Sequence, residues 1–234
     1  MYTLAAFRQI EDTMSYTLPD DVFQLLETLT LKVGGNVSLL SKGKVNKETL
    51  VGLLNKLTTD TYNAITAKVL SANLTSDTMR DMFKVAAGNM FYSKVYARLC
   101  HELLQKNENL REEVVQLCAT YKQKIAERTV TLGDKGTTLF LANLAFNGTL
   151  PLSEGVAMAH AFQTLVEEDS QGDEDVVAVW VEHVALLLTQ NKAFTDACGL
   201  EPRIQILLKL DTKIHKGVSL KTVFKYMDVL EHFQ

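Results

Sequence analysis

The chain has 234 residues, 47% of them hydrophobic, and a formal net charge of −4 at neutral pH. That length and apolar content support a buried core, and the weak negative balance excludes a protein whose whole surface grips nucleic acid, leaving room only for local basic patches. Cys100, Cys118 and Cys198 form no CxxC pair, so neither a disulfide framework nor a zinc cage is written here and a reducing compartment is expected.

Residues 1 to about 20 hold a short amphipathic piece, Tyr2, Leu4, Phe7 and Ile10, followed by the polar stretch EDTMSYTLPDD. This start has no basic n-region and no continuous apolar h-region, and the most apolar later run is broken by Glu182 and His183, so neither a secretion signal nor a membrane span is expected. The Asn-x-Ser/Thr triplets at Asn36, Asn73 and Asn147 are then chance matches. Asp20 or Asp21 can cap a helix with the stripe Val22, Leu25, Leu26 and Leu29. The glycine- and serine-bearing run from Val33 to Glu48 reads as a loop, so residues 21–46 form an extra helix and loop ahead of a main domain at 47–234.

The main domain opens on LVGLLNKLTTDTYNAITAKVL. Leu50, Leu53, Leu54 and Leu57 recur at helical spacing, with Asn55 and Lys56 turned away. Thr58, Thr59 and Asp60 can accept hydrogen bonds from the first N–H groups of a second helix, whose stripe is Tyr62, Ile65 and Val69. So short a turn folds the two helices into an αα-hairpin. Ser76 or Asp77 caps the next helix, on Met79, Met82, Phe83 and Ala86, and Gly88-Asn89 ends it. Its partner carries Tyr92, Val95, Tyr96, Leu99, Cys100 and Leu103, and a third helix runs on Leu110, Val114, Leu117, Tyr121 and Ile125.

TLGDKGTT breaks the pattern, Asn147-Gly148 stops the helix over Leu139 to Phe146, and Pro151 opens the return helix on Val156, Ala159, Phe162, Leu165 and Val166. EEDSQGDED, from Glu167 to Asp175, reads as a solvated acidic loop between repeats. Helices on Val176, Val177, Trp180, Val184, Leu187 and Leu188, then on Ile206, Leu207, Leu210 and Ile214 after Pro202, and finally on VSLKTVFKYMDVLEHF complete the chain. With no sustained period-two alternation, this predicts an all-α fold, an α-solenoid of about five HEAT-like antiparallel helix pairs in which each hairpin buries its stripe against its neighbours.

No catalytic constellation can be built. His101, His160, His183, His215 and His232 share no metal-ligand spacing, and each reads as a satisfied or exposed histidine. The loops around Gly43 and Gly136 lack phosphate-loop spacing, and Ser153 lacks the flanking glycines of a nucleophile elbow. The expectation is a protein that is not an enzyme and needs no metal or cofactor.

Four segments then carry a resemblance. LLNKLT with Tyr62 four residues later resembles the first repeat of the middle domain of eukaryotic translation initiation factor 4-gamma. SKVYARLCHEL (93–103), LFLANLAFNGTLP (139–151) and EPRIQILLKLDTKI (201–214) are similar, in the same order, to later segments of that domain. The resemblance implies a cytoplasmic scaffold of five HEAT-like repeats that holds both lobes of a DEAD-box RNA helicase of the initiation factor 4A type. Carried over by position, Asn55, Lys56, Thr58 and Tyr62 would form the first contact and Arg203 the second.

Scaffolds of initiation also carry a tyrosine, four residues, a leucine and a hydrophobic residue, which bind the mRNA cap-binding protein. Tyr2 and Phe7 have that spacing and Ile10 extends the apolar face, while Phe7 replaces the leucine and Arg8 stands at the hydrophobic position. The alternatives are a scaffold of the same family in mRNA decay, splicing or poly(A)-linked regulation with a different helicase, or a direct RNA-binding platform on Lys209, Lys213, Lys216, Lys221 and Lys225.

Overall fold

The structure, a computed structural model, describes residues 50–72 and 74–233. The motif at Tyr2, Phe7 and Ile10, the helix on Val22 to Leu29 and the loop up to Glu48 lie outside the described residues. Among the described residues there are eleven α-helices and no strand: α1 Leu50–Asn55, α2 Tyr62–Ser71, α3 Ser76–Gly88, α4 Ser93–Lys106, α5 Arg111–Ala126, α6 Lys135–Phe146, α7 Leu152–Glu168, α8 Glu174–Leu188, α9 Lys192–Cys198, α10 Glu201–Leu207 and α11 Leu220–Glu231.

These helices stack in two rows. α1, α3, α5, α7 and α9 each pack on the next, and so do α2, α4, α6, α8 and α11. The two rows are joined through α1 on α2, α3 on α4 and α6, and α7 on α6 and α8. This is the layered arrangement of a helical repeat, in which an amphipathic stripe is buried only when the neighbouring pair covers it. α6 lies at the centre, against α3, α4, α7 and α8, and is accordingly apolar almost all round, with Leu139 to Ala145 all buried.

The predicted stripes of the first five helices are buried or half-buried as expected. Three later positions differ. Val176 is exposed, and so are Ile206 and Ile214, each at 63%. Within α10, Ile204 and Leu207 lie at i and i+3 on the buried side, which turns Ile206 outward, and the end of the helix at Leu207 removes the i+7 relation to Ile214.

Two caps also differ in detail. Thr75, one residue before the predicted Ser76 or Asp77, caps α3 in a reciprocal box with Thr78, at 3.1 Å and 3.4 Å. In the first hairpin no side chain caps α2, whose N-cap position is Thr61; Thr58 and Thr61 bond each other within the turn instead, Thr58 N–H donating to Thr61 Oγ1 at 2.9 Å and Thr61 N–H to Thr58 Oγ1 at 3.2 Å. The acidic run is only partly solvated. Asp169 accepts from Trp180 Nε1 at 3.0 Å and pairs with Arg128, while Ser170 is buried and its carbonyl accepts from Gly217 N–H at 2.9 Å. The loop therefore ties α8 and the α10–α11 connection to the end of α7.

One close approach requires glycine. At Gly136, in the first turn of α6, a Cβ would lie 1.8 Å from the carbonyl oxygen of Ala87 in α3. The glycine of GDKGTT thus brings two helices together.

Candidate partner-binding surface

The exposed end of the first hairpin is held from behind. Tyr96 on α4 donates its hydroxyl at 2.9 Å to the last-turn carbonyl of Leu54, which also accepts from the Leu57 N–H at 3.0 Å. Lys106 Nζ does the same for Leu70 at the end of α2. Asn55 and Lys56 project outward beside the Thr58–Thr61 box, whose Thr61 hydroxyl donates to the Lys56 carbonyl at 2.6 Å. The turn is thus held by its own hydrogen bonds, with Asn55 and Lys56 exposed beside it.

Tyr62 belongs to the core. It is 5% exposed, its hydroxyl is buried without a hydrogen bond beyond the reach of water, and burial, with the Glu102 carboxylate nearby, pushes its pKa up. Arg98 covers the ring face at 4.1 Å from its centroid and is itself steadied by Glu102 at 3.1 Å. The surface at this place is therefore made by Asn55, Lys56, part of Thr58 and Arg98, and Tyr62 supports it from beneath.

Arg203 does not join that group. Its guanidinium grips Glu167 on α7 with two bonds of 2.8 Å and 2.7 Å, and donates to Thr164 Oγ1 at 3.0 Å and His160 Nδ1 at 3.2 Å. His160 in turn donates from Nε2 to the carbonyl of Cys198 at 2.8 Å. Burial alone would raise the Glu167 carboxyl, but the bonds from Arg203 and Gln163 outweigh it and hold its pKa below the usual range. The predicted second contact is thus a lock between α10 and α7, with its donors engaged inside the chain.

The lysine set does not form one basic face. Lys225 lies 3.3 Å from Glu182, which also takes Lys135 at 2.6 Å. Lys216 and Lys221 border a cleft of about 520 Å³ together with Glu174 and Asp175. Lys209 and Lys213 are exposed.

Phe91 is a surface feature that periodicity missed. It is 86% exposed and meets Tyr92 edge-on at 4.9 Å between ring centroids. Its signal was legible, since it is a large apolar residue one position off the stripe that begins at Tyr92. On the same row, Lys94, Arg98, Asn147, Gln190 and Asn191, with Ala97 and Phe146 among them, line a groove of mixed character of about 230 Å³. Asn143 and Asn147 are spent on Ser93 Oγ and the Ala97 carbonyl.

Among the described residues no group of three or more His, Cys, Asp or Glu side chains is placed to hold a metal ion, and no helix is long and apolar enough to cross a membrane. Burial pushes the Cys100 and Cys198 thiols up to about 12 and that of Cys118, near Glu154, to about 11, so all three stay protonated and weakly nucleophilic at neutral pH. Each histidine has a hydrogen-bond partner: Thr149 and Gln105 for His101, Cys198 and Arg203 for His160, Thr138 and Thr131 for His183, Ser170 for His215, and the Asp228 carbonyl for His232. The chain matches no protein-family model, no curated protein and no solved structure.

Proposed function

We propose that the chain is a cytoplasmic scaffold of translation initiation that binds a DEAD-box RNA helicase of the initiation factor 4A type and, through Tyr2, Phe7 and Ile10, the mRNA cap-binding protein. The observation that carries this reading is the alignment of four ordered segments resembling the middle domain of initiation factor 4-gamma; the stacked helix pairs on which those segments fall are compatible with it. Asn55, Lys56 and Thr58, joined by Arg98, make the first grip on one helicase lobe. Binding at this grip acts by population shift, favouring the helicase conformations that hold it more tightly.

The test is the ATPase rate of purified helicase with and without the full chain. Stimulation that falls at least tenfold in affinity on Lys56→Glu, with the thermal transition unchanged, is the expected result; a helicase indifferent to the chain overturns it. Capture of cap-binding protein by the full chain, lost on deleting residues 1–20, tests the N-terminal part. A chain that stimulates only helicases of mRNA decay or splicing would assign it to those processes instead.

A further inference from the structure

α11 buries Thr222, Tyr226 and Val229 against the core and turns Leu220, Phe224 and Met227 the other way, at 68%, 62% and 50% exposure. At 3.6 residues per turn these three fall within about 60° of arc, a continuous apolar stripe directly opposite the buried one. A stripe of three large side chains on a helix that is already anchored has the form of an interface, not of scattered surface residues.

The charges beside the stripe say what covers it. Lys221 stands in the first turn of α11, and Asp228 and Glu231 stand near its end. This order opposes the helix's own dipole, which favours acids at the start and bases at the end. Among the described residues none of the three has an ion-pair partner within 4.0 Å, while Lys225, one turn on, is already paired with Glu182. Taking Phe224 as centre, Lys221 lies about 4.5 Å to one side and Asp228 about 6 Å to the other along the axis, both on the same flank.

We propose that two copies of this chain associate through α11, packed antiparallel about a two-fold axis at Phe224. A rotation in the plane of both helices keeps each flank on its own side and reverses direction, so Lys221 of one copy meets Asp228 of the other, twice. The opposed dipoles of antiparallel helices run the same way as these pairs. One helix face is smaller than the roughly 1,200 Å² of a stable interface, so the association is weak and depends on concentration.

The experiment is sedimentation of the full chain over a series up to millimolar concentration, with circular dichroism to check that each variant keeps its helix content. The weight-average mass rises from the 26.1 kDa of one chain toward twice that value. Phe224→Asp abolishes the rise. Lys221→Glu and Asp228→Lys each abolish it alone, but an equimolar mixture of the two restores it, because every facing pair is again of opposite sign. A chain that stays monomeric, a dimer that survives Phe224→Asp, or a mixture that stays monomeric overturns the proposal.

Discussion

At the scale of single residues, polar side chains inside the stack carry much of its specificity. His183 is fully buried, stacked on Phe162 with ring centroids 4.7 Å apart. Its Nε2 faces the Thr131 carbonyl at 3.0 Å and so carries the proton, leaving Nδ1 to accept from Thr138 Oγ1 at 2.8 Å, which in turn accepts from the Tyr121 hydroxyl. Burial lowers the His183 pKa below its ordinary 6.5. The unfolded chain therefore binds the proton first. The stability that the neutral ring contributes is complete above pH 6.5 and is lost as pH falls from there toward the folded-state value. Urea unfolding at pH 7.5 and pH 5.5 should show a lower midpoint at the acid pH, and His183→Gln should flatten that difference. Glu167 and Glu182 act in a separate, lower window, since their depressed pKa values withdraw stability only as pH falls below about 4.5.

Arg203 gives a second residue-scale test. Removing its guanidinium leaves a half-buried Glu167 without its two charged bonds, and Arg203→Ala should cost about 1–2 kcal/mol after allowance for the solvent exposure of the pair. The melting temperature should then fall by several degrees. A residue serving only a partner would leave it unmoved.

At the scale of elements, the contact between α3 and α6 rests on one missing methyl group. Gly136→Ala places a Cβ 1.8 Å from a backbone oxygen that cannot rotate away, so the helices must separate, at a cost of about 3 kcal/mol or more. Gly88→Ala is the control. Nothing lies within 4 Å of its added Cβ, and it should be neutral or stabilising by about 0.4–1 kcal/mol through the unfolded chain. Thermal melts of the two variants should move in opposite directions or, for Gly88, not at all.

At the scale of the whole molecule, the two rows make α6 the element on which neighbouring pairs depend. Leu141 on α6 is fully buried, and Leu141→Ala should cost about 2–5 kcal/mol and shift the helical transition as one. Ile206→Ala, at a position that periodicity placed in the core, should stay within about 0.5 kcal/mol of the parent. Equal losses at the two positions would contradict the burial of Leu141 and the exposure of Ile206.

How much of this was legible varies by residue. The stripes of Leu50 to Leu57 and of Tyr96 to Leu103 follow from helical period, and Gly148, at φ 78°, stops α6 where the Asn-Gly pair predicted a stop. Helix boundaries and the order of hairpins are local matters, decided by side-chain periodicity and by turns too short to do anything but reverse the chain. The fates of Tyr62, Arg203, Gly136 and His183 are not local. Each depends on a residue 36 or more positions away, whether Arg98, Glu167, Ala87 or Thr131, and a side chain becomes a contact, a lock, a spacer or a buried relay only when a second helix is laid against it. Periodicity along the chain therefore settled that this protein is a stack of helix pairs, and packing across the chain settled which polar residues are left facing outward.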